Sequence, residues 1–414
     1  MPSRTVCVVT GSRAEFGLLR ILMDAIAADP ALELRSIVTG SHLSNAFGST
    51  VDEVRASGHR IDREVRCLPP DDPEPDIADA FAKALVGLRD ALDDLHPDVV
   101  VLLGDRFEML AAAVAATFCR IPIAHLHGGE TTEGAFDEGM RHAITKLSHL
   151  HFVAHEDYRV RVLQLGESAE RVWNFGALGA EAAIGTPVAT QAELTVALGR
   201  EVPDRVLLVT VHPATLDPTQ DAPTIDAVIE ALDEEQEPLI VFTLPNADPN
   251  TNVIRDRILR FVERRNNAVC VASLGQALYL SLARRAEAIV GNSSSGILEG
   301  PTLGTPTIDV GDRQRGRIRA ESVLSCPPDA GAIRSALLKA RSQPFLEKVS
   351  RMRPPFGNGG TSRRIVETLR EVPLEGILLK QFERYPGAMS AEGAERTDEV
   401  PRDLESRRTE GGFP

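Results

Sequence analysis

Two motifs in the first half of the chain have residue types suited to proton transfer. The first, LGDRFE at 103–108, places Asp105 and Glu108 on either side of Arg106. Carboxyl groups beside a cation can have pKa values that are driven apart, which suits acid–base catalysis. The alternative is a helix cap, because Asp105 is a favoured N-cap residue and Glu108 lies three positions further on. Taken alone, this motif favours the cap.

The second motif is HLHGGE at 125–130, which contains His127 and Glu130, and Asp137 follows it. Histidine and carboxylate side chains also bind zinc or iron. The spacing fits no standard zinc pattern, however, and the Gly-Gly pair favours close approach of the backbone to a ligand. We therefore predict an acid–base site that uses no metal ion and no other cofactor.

The second half of the chain carries donors suited to a diphosphate. GNSSSG at 291–296 follows an apolar run and precedes a helix-like segment, so it offers backbone N–H and hydroxyl groups to an anion. Glu299 lies on that helix and could accept hydrogen bonds from a ribose diol. The alternative is an ordinary serine-rich helix cap. Two further polar residues, His212 and Asn246, also follow apolar runs.

Arginines occur in two glycine-containing motifs. Arg13 lies in GSRAEFG at 11–17, where a helix begins after the first apolar run, and GDRQRGR at 311–317 contains three arginines. The guanidinium fork suits phosphate, and the N–H groups at a helix start attract anions. A solvated turn or surface loop is the alternative for each. Because the net charge is −15, clustered arginines favour an anionic ligand.

Short apolar runs alternate with helix-period segments, which predicts parallel, doubly wound α/β domains. Predicted strands of the first half are 5–10, 34–39, 99–103, 121–126, 151–154 and 172–175, with helices at 16–28, 77–95, 107–118 and 137–148. A second series of strands is predicted at 206–211, 239–244, 268–272, 288–290 and 307–310. Ligands of open α/β sheets bind at the carboxyl ends of the strands, where these motifs lie.

The length of 414 residues predicts two domains. We place an N-terminal Rossmann-like domain at 1–180, a linker at 181–204, and a C-terminal Rossmann-like domain at 205–372 that includes the final helix. Residues 386–414 are rich in Glu, Arg, Gly and Ser and contain few large apolar residues, so we expect a disordered tail.

Composition excludes several classes of protein. The net charge of −15 argues against a nucleic-acid partner. The five cysteines are scattered without a C-x-x-C pair, which indicates free thiols in a reducing compartment. No signal peptide is evident, and the longest apolar stretch, 109–119, is too short to span a bilayer. We therefore expect a cytoplasmic protein without a membrane partner.

Taken together, the motifs resemble those of the hydrolysing UDP-N-acetylglucosamine 2-epimerases, which supply sialic-acid synthesis. The resemblance covers about residues 5–320 in order, and a helix near 361–370. It rests on GSRAEFG (11–17), TGSHLSNAFG (39–48), LGDRFE (103–108), HLHGGE (125–130), DEGMRHAITKLSHLHF (137–152), GNSSSG (291–296) and IDVGDRQRGR (308–317). A sister group acts on UDP-N,N'-diacetylbacillosamine in legionaminic-acid synthesis.

The resemblance implies a glycosyltransferase-B-like fold, with two Rossmann-like domains enclosing a cleft and UDP held mainly by the C-terminal one. It implies anti elimination of UDP to give 2-acetamidoglucal, then syn addition of water to give N-acetylmannosamine. The implied partners are the UDP-sugar, water and further copies of the chain in a dimer or tetramer.

The resemblance also implies which residues form the site, motif by motif. The implied acid–base candidates are Asp105, Glu130 and Asp137, together with His127 and His212. The animal bifunctional members carry Glu where this chain has His127, so the identity of the base stays open. Implied UDP-binding residues are Arg13, Gly17, Arg106, His212, Asn246, Asn292, Ser293, Ser294, Glu299 and Arg313.

Other functions remain open at this stage. The substrate could be the bacillosamine derivative, or the product could stay attached to UDP, as in a non-hydrolysing epimerase. A retaining glycosyltransferase on the same fold would need an acceptor, and an inactive nucleotide-sugar sensor would bind without turnover. Release of free UDP and free sugar without an acceptor distinguishes the hydrolysing epimerase from these alternatives.

Overall fold

The computed structural model describes residues 3–72, 75–133, 136–214, 217–245 and 251–384. The strands are β1 (Arg4–Thr10), β2 (Leu32–Thr39), β3 (Arg63–Val65), β4 (Val99–Leu103), β5 (Ile123–Leu126), β6 (Leu150–Val153), β7 (Val172–Asn174), β8 (Val206–Thr210), β9 (Leu239–Thr243), β10 (Ala268–Val271), β11 (Ala288–Gly291), β12 (Thr307–Val310) and β13 (Val323–Cys326).

The helices connect these strands. They are α1 (Arg13–Ala28), α2 (Val51–Ala56), α3 (Ile77–Leu95), α4 (Phe107–Phe118), α5 (Asp137–Leu147), α6 (Glu156–Gln164), α7 (Leu178–Gly185), α8 (Gln191–Leu198), α9 (Asp221–Asp233), α10 (Thr251–Glu263), α11 (Gly275–Arg285), α12 (Ser294–Leu298), α13 (Gly300–Leu303), α14 (Ala330–Ala340), α15 (Gln343–Arg351) and α16 (Thr361–Glu371). Short 3-10 helices occur at Gly40–Leu43, Asn45–Phe47, Ala169–Arg171 and Pro218–Gln220.

The described strands form two parallel sheets. The first has the order β3-β2-β1-β4-β5-β6-β7 and the second the order β10-β9-β8-β11-β12-β13. In each sheet the chain order reverses beside the first strand, between β1 and β4 and between β8 and β11. Such switch points leave a crevice outside the strand ends. The predicted pair of Rossmann-like α/β domains is therefore confirmed.

Apolar runs form these strands because both faces of each sheet are covered. All five residues of β4 and all five of β8 are buried. Helix α1 covers one face of the first sheet through Leu19, Leu22, Met23 and Ile26, which recur at helical spacing on one stripe. Helices α3 and α4 cover the opposite face. Polar side chains that could take part in a reaction are therefore found just beyond the strand ends.

The short edge strands β3 and β13 were not predicted from sequence. Residues 63–65 read Arg-Glu-Val, and 323–326 mix apolar and polar residues, so neither shows a clear strand period. Each pairs with only one neighbour at a sheet edge. Such strands depend on pairing with an existing sheet, which a local sequence pattern does not reveal.

The final helix corrects the predicted domain boundaries. We assigned 205–372 to the second domain, but α16 buries Ile365, Val366 and Leu369 in the core of the first domain, beside Leu19. An amphipathic helix at the end of the second domain needs an apolar surface to cover its stripe, and α1 supplies it. Beyond α16, Lys380 Nζ lies 2.7 Å from Glu167 Oε2, so the chain continues across the first domain.

The predicted linker at 181–204 contains the end of α7 and all of α8. Helix α8 begins with a capping box between Thr190 and Glu193, and it buries Leu194 and Leu198 in the core of the second domain. The predicted tail at 386–414 lies outside the described residues. None of the helices in the described ranges is long and apolar enough to cross a membrane.

Candidate functional site

The switch points bring the polar motifs to one cleft. In the first sheet, 11–17 follows β1 and 103–108 spans the end of β4, while in the second sheet His212 follows β8 and 291–296 follows β11. The domains touch across this cleft. Arg13 Nη1 donates to Ala272 O at 3.2 Å, and the Gln276 side-chain amide donates to Gly17 O.

Asp105 does not cap a helix, so the cap alternative for LGDRFE was wrong. Arg106 occupies the N-cap position of α4 without a side-chain cap bond, and the Asp105 carboxylate instead pairs with Arg141 of α5. Arg141 is 1% exposed, and its Nη1 also donates to Glu130 O at 2.9 Å and to Glu138 Oε2 at 2.6 Å. Arg141 thus fixes Asp105 next to the HLHGGE motif.

Each carboxylate oxygen of Glu130 has a close partner. Its Oε1 lies 2.6 Å from His127 Nδ1, and its Oε2 lies 2.7 Å from Nη1 of Arg317, which belongs to the second domain. Burial raises the pKa of Glu130, but Arg317 and His127 outweigh burial and hold the pKa below its ordinary value. Glu130 is therefore ionised at neutral pH, with both oxygens engaged.

His127 combines an unusual backbone with an unsatisfied ring nitrogen. Its φ of 64° lies in the left-handed region, which a residue with a Cβ rarely adopts and which often marks functional sites. The backbone N–H donates to Phe152 O at 3.0 Å and stabilises this conformation. His127 Nε2 is buried and has no hydrogen-bond partner within the described parts of the chain. That nitrogen is available for a substrate.

The carboxyl groups of Glu15 and Glu108 lie near Arg106. Gly11 N donates to Glu15 Oε2 at 2.7 Å, and Glu108 Oε2 lies 3.3 Å from Arg106 Nε. Burial, and then the charge of Glu108, raises the pKa of Glu15 to about 8, although Arg106 opposes the change. Glu15 therefore holds its proton to higher pH than an ordinary glutamate, and Arg106 Nε lies beside Glu108.

A cavity of about 210 Å³ lies between the first-domain helix α1 and the strand ends of the second domain. Seven of the predicted UDP-binding residues line it: Arg13, Gly17, His212, Ser293, Ser294, Glu299 and Arg313. Arg106 does not line this cavity and lies with the carboxyl groups of the first domain. Asn246 falls outside the described residues.

The remaining predicted residue, Asn292, is engaged with the backbone. Its Oδ1 accepts from His212 N at 2.7 Å, and its Nδ2 donates to His212 O at 2.8 Å. Arg313 lies beside this pair, because its Nη1 donates to Asn292 O at 3.2 Å and its Nε donates to Pro213 O at 3.2 Å. Asn292 therefore connects the ends of β8 and β11 under the cavity.

Glu299 supplies a buried acceptor to the cavity. It is 8% exposed, and burial raises its pKa to about 8. Its Oε2 has no hydrogen-bond partner among the residues that the structure covers. Ser293 caps the short helix α12, accepting from Ser295 N at 3.4 Å. The cavity thus offers arginines, hydroxyls and a carboxyl acceptor.

Reasoning from sequence missed several residues of this site. Arg141, Arg317, Glu15 and Glu138 were not candidates, although all four lie in motifs that had been singled out. The signal that could have found Arg317 was the cluster of arginines at 311–317. Asp137, which was a candidate, is the first residue of α5 and is partly buried. Within the described ranges, no group of three or more His, Cys, Asp or Glu could hold a metal ion.

Comparisons with known proteins identify a family and several relatives. The family model described as UDP-N-acetylglucosamine 2-epimerase matches residues 24–370. A GDP/UDP-N,N'-diacetylbacillosamine 2-epimerase (hydrolyzing) of Campylobacter jejuni is 37% identical over 92% of this chain and 99% of its own. Polysialic acid biosynthesis protein P7 of Escherichia coli is 33% identical over 85% of this chain and 90% of its own.

Solved structures share the fold. The crystal structure of a Neisseria meningitidis UDP-GlcNAc 2-epimerase bound to UDP-GlcNAc superposes with a TM-score of 0.76 at 19% identity. The match covers 88% of this chain and 99% of that one. The two parallel α/β domains therefore have the glycosyltransferase-B-like arrangement expected from the motifs.

Proposed function

The chain belongs to the UDP-N-acetylglucosamine 2-epimerase family, and from this premise we propose that it is a hydrolysing enzyme. It cleaves UDP from a UDP-linked 2-acetamido sugar and inverts the configuration at C2. The observation that carries the proposal is the meeting of two groups of residues at one cleft. Glu130, beside His127 in the first domain, lies 2.7 Å from Arg317 of the second. The charges of Glu130 and Arg317 both act on Glu299, which lines the cavity with Arg313.

The proposed reaction has two steps. A base removes the C2 proton, the C2–H electron pair forms a C1=C2 double bond, and the C1–O bond breaks with its electrons passing to a β-phosphate oxygen of UDP. Water then adds to the glycal, with hydroxyl to C1 and a proton to C2 on the opposite face from the one lost. We assign the proton transfers to Asp105, His127 and Glu130, with Asp137 and His212 as further candidates.

The proposed UDP site follows the lining of the cavity. We assign Arg13, Arg313 and the hydroxyls of Ser293 and Ser294 to the diphosphate, since charge-assisted bonds stabilise the departing anion. Glu299 is assigned to the ribose diol. Arg106 remains assigned to the diphosphate, and Gly17 and Asn246 to the wider UDP site, on the strength of the motif resemblance.

Two substrates are candidates. Our first candidate is UDP-N-acetylglucosamine, which gives N-acetylmannosamine for sialic-acid synthesis, and the similarity to polysialic acid biosynthesis protein P7 supports it. The second is UDP-N,N'-diacetylbacillosamine, which is favoured by the 37% identity to the Campylobacter jejuni enzyme. Both carry the 2-acetamido group and the C2 proton that the reaction needs, so the chemistry is the same for either.

The decisive experiment incubates the full-length chain separately with each UDP-sugar and follows the products by NMR. We expect free UDP and the free 2-epimer sugar from at least one of them. A product that remains attached to UDP would instead identify a non-hydrolysing epimerase. Nucleotide-sugar binding without turnover would favour a sensor, and turnover only with an added acceptor would favour a glycosyltransferase.

Other properties stay predictions. UDP-sugar and water are the proposed partners of the reaction, with no cofactor. A homodimer or homotetramer and a cytoplasmic location were expected from the resemblance and the composition. Light scattering coupled to size-exclusion chromatography would measure the oligomeric state directly.

A further inference from the structure

Arg317 belongs to the second domain but is buried against the first. It lies in residues 315–318, which we call the bridging segment. Arg317 Nη1 lies 2.7 Å from Glu130 Oε2, and its side chain is 9% exposed. The backbone of the same segment makes two contacts with the first domain: Glu133 N donates to Arg315 O at 3.3 Å, and Ile318 N donates to Tyr158 Oη at 3.2 Å.

The charge of Arg317 acts on groups from both domains. It opposes the effect of burial on the pKa of Glu130 in the first domain and of Glu299 in the second. Its repulsion also contributes, after burial, to the lowered pKa of Arg141. A buried carboxylate without a cation is costly, so ionised Glu130 depends on Arg317 as well as on His127.

Ionised Glu130 in turn selects the tautomer of His127. A carboxylate at 2.6 Å favours the tautomer in which Nδ1 carries the proton and donates it to Glu130. The lone pair then lies on Nε2, which is buried and has no partner in the described chain. This is the arrangement by which a carboxylate orients a histidine base and stabilises its protonated form.

We propose that Arg317 is a positioning residue through which the second domain completes the proton-transfer group of the first. The inference rests on the proposed function. With Arg317 in place, Glu130 stays ionised and holds Nδ1–H of His127, and Nε2 takes the C2 proton. The C2–H electron pair forms the C1=C2 bond, and the C1–O electrons pass to UDP. Arg317 itself contacts neither the proton nor the sugar.

The test compares two variants of Arg317 with a matched control. Arg315→Met is the control, because Arg315 also crosses to the first domain, through a 3.1 Å ion pair with Glu133, but its side chain is 68% exposed. We expect Arg317→Met to lower kcat by about 10²-fold, with much smaller changes in KM and in UDP affinity. Arg317→Lys should recover part of the rate, and Arg315→Met should stay near wild type.

The pH profile separates positioning from a structural role. Without Arg317 the pKa of Glu130 is no longer held down, so the acidic limb of kcat should move to higher pH in Arg317→Met. In Arg317→Lys it should stay closer to wild type. An unchanged kcat and acidic limb in Arg317→Met would overturn the inference, as would an equal loss of rate in Arg315→Met.

If Arg317→Met fails to fold, a double-mutant cycle tests the inference instead. Arg317→Lys and Glu130→Gln should be non-additive in kcat, because both act through His127, whereas additive losses would overturn the inference. Failure of the proposed function gives a different result. In that case the wild-type chain itself releases no UDP from either sugar, and the inference falls with it.

Discussion

Asn292 holds the backbone of His212 from both sides, accepting from its N–H at 2.7 Å and donating to its carbonyl at 2.8 Å. The two residues follow β11 and β8, the strands on either side of the second switch point. Because these two bonds hold the amide against the backbone of His212, we expect Asn292 to affect UDP binding by positioning His212 and the serines that follow Asn292.

Amide replacement of the two central carboxylates should abolish sugar release. We expect Asp105→Asn and Glu130→Gln each to lower kcat by about 10²–10⁴ while retaining UDP binding, because amides keep the size of the side chain but not its charge. Turnover assays and calorimetry with UDP measure the two properties. Near-normal rates in both variants would remove these residues from the mechanism.

Isotope labelling tests the chemistry itself. Turnover in heavy water should place deuterium at C2 of the product, because the proposed elimination removes the C2 proton and hydration returns one from solvent. A variant blocked in elimination should show no exchange at C2, whereas one blocked in hydration should accumulate the unsaturated glycal. NMR of the product measures both. Unlabelled product from the wild-type chain would contradict proton abstraction at C2.

Loss of Arg313 should weaken nucleotide binding more than it slows chemistry. Arg313 lines the cavity, and the loss of a charge-assisted bond to phosphate costs about 1.5–3 kcal/mol. We expect calorimetry to show a correspondingly weaker UDP affinity for Arg313→Ala, with kcat at saturation changed less. Arg315→Ala is the matched control, since that side chain is mostly exposed. Unchanged UDP affinity in Arg313→Ala would remove it from the diphosphate site.

Glu299 should make the stability of the ligand-free protein depend on pH. Its pKa is raised from 4.5 to about 8 in the folded state, so between these values the folded chain holds a proton that the unfolded chain has lost. Raising the pH through this window therefore favours unfolding. Glu299→Gln removes this titration, so we expect its Tm to fall less than that of the wild type between about pH 5 and pH 8.

Calorimetric or fluorescence melting without UDP measures this difference. Glu133→Gln is a suitable control, because that side chain is 49% exposed. The wild-type decline should not vanish entirely in Glu299→Gln, since the pKa of Glu15 is also raised to about 8. Identical pH dependence in the wild type and Glu299→Gln would show that Glu299 is ionised at neutral pH in the folded protein.

Two truncations should differ in stability. A chain ending at Arg384 should keep its activity and Tm, because the composition of the residues beyond it provides little apolar area to bury. A chain ending at Glu371 loses buried Ile377 and the Lys380–Glu167 ion pair, and the loss of Ile377 alone should cost about 2–5 kcal/mol. Thermal melting compares the two. A Tm drop of several degrees in the longer chain would contradict the prediction.

Activity should survive EDTA. The motifs have no metal-ligand spacing, and arginines line the cavity assigned to the diphosphate. We expect the rate of UDP release after chelation and desalting to equal that of the untreated protein. Loss of turnover that added zinc or magnesium restores would show that a metal ion takes part.

The positions of most strands along the chain and the residues at their ends could be predicted from sequence. The runs at 99–103 and 206–209 are apolar throughout, as strands covered on both faces require, and polar residues follow them closely. Edge strands β3 and β13 could not be predicted, because their pairing depends on a neighbouring strand. The packing position of α16 could not be predicted either. Its amphipathic pattern shows that one face is buried, but not which domain buries it.

The sequence by itself therefore determined the two parallel α/β domains, the family, and seven of the residues that line the cavity assigned to UDP. Local patterns carry this information because burial on both sheet faces and strand-end motifs are encoded by nearby residues. Only the tertiary structure decided that Asp105 pairs with Arg141 and that Glu130 lies between His127 and Arg317. Glu130 and Arg317 are far apart in the chain, and their charges meet only because the packed domains bury both at one cleft.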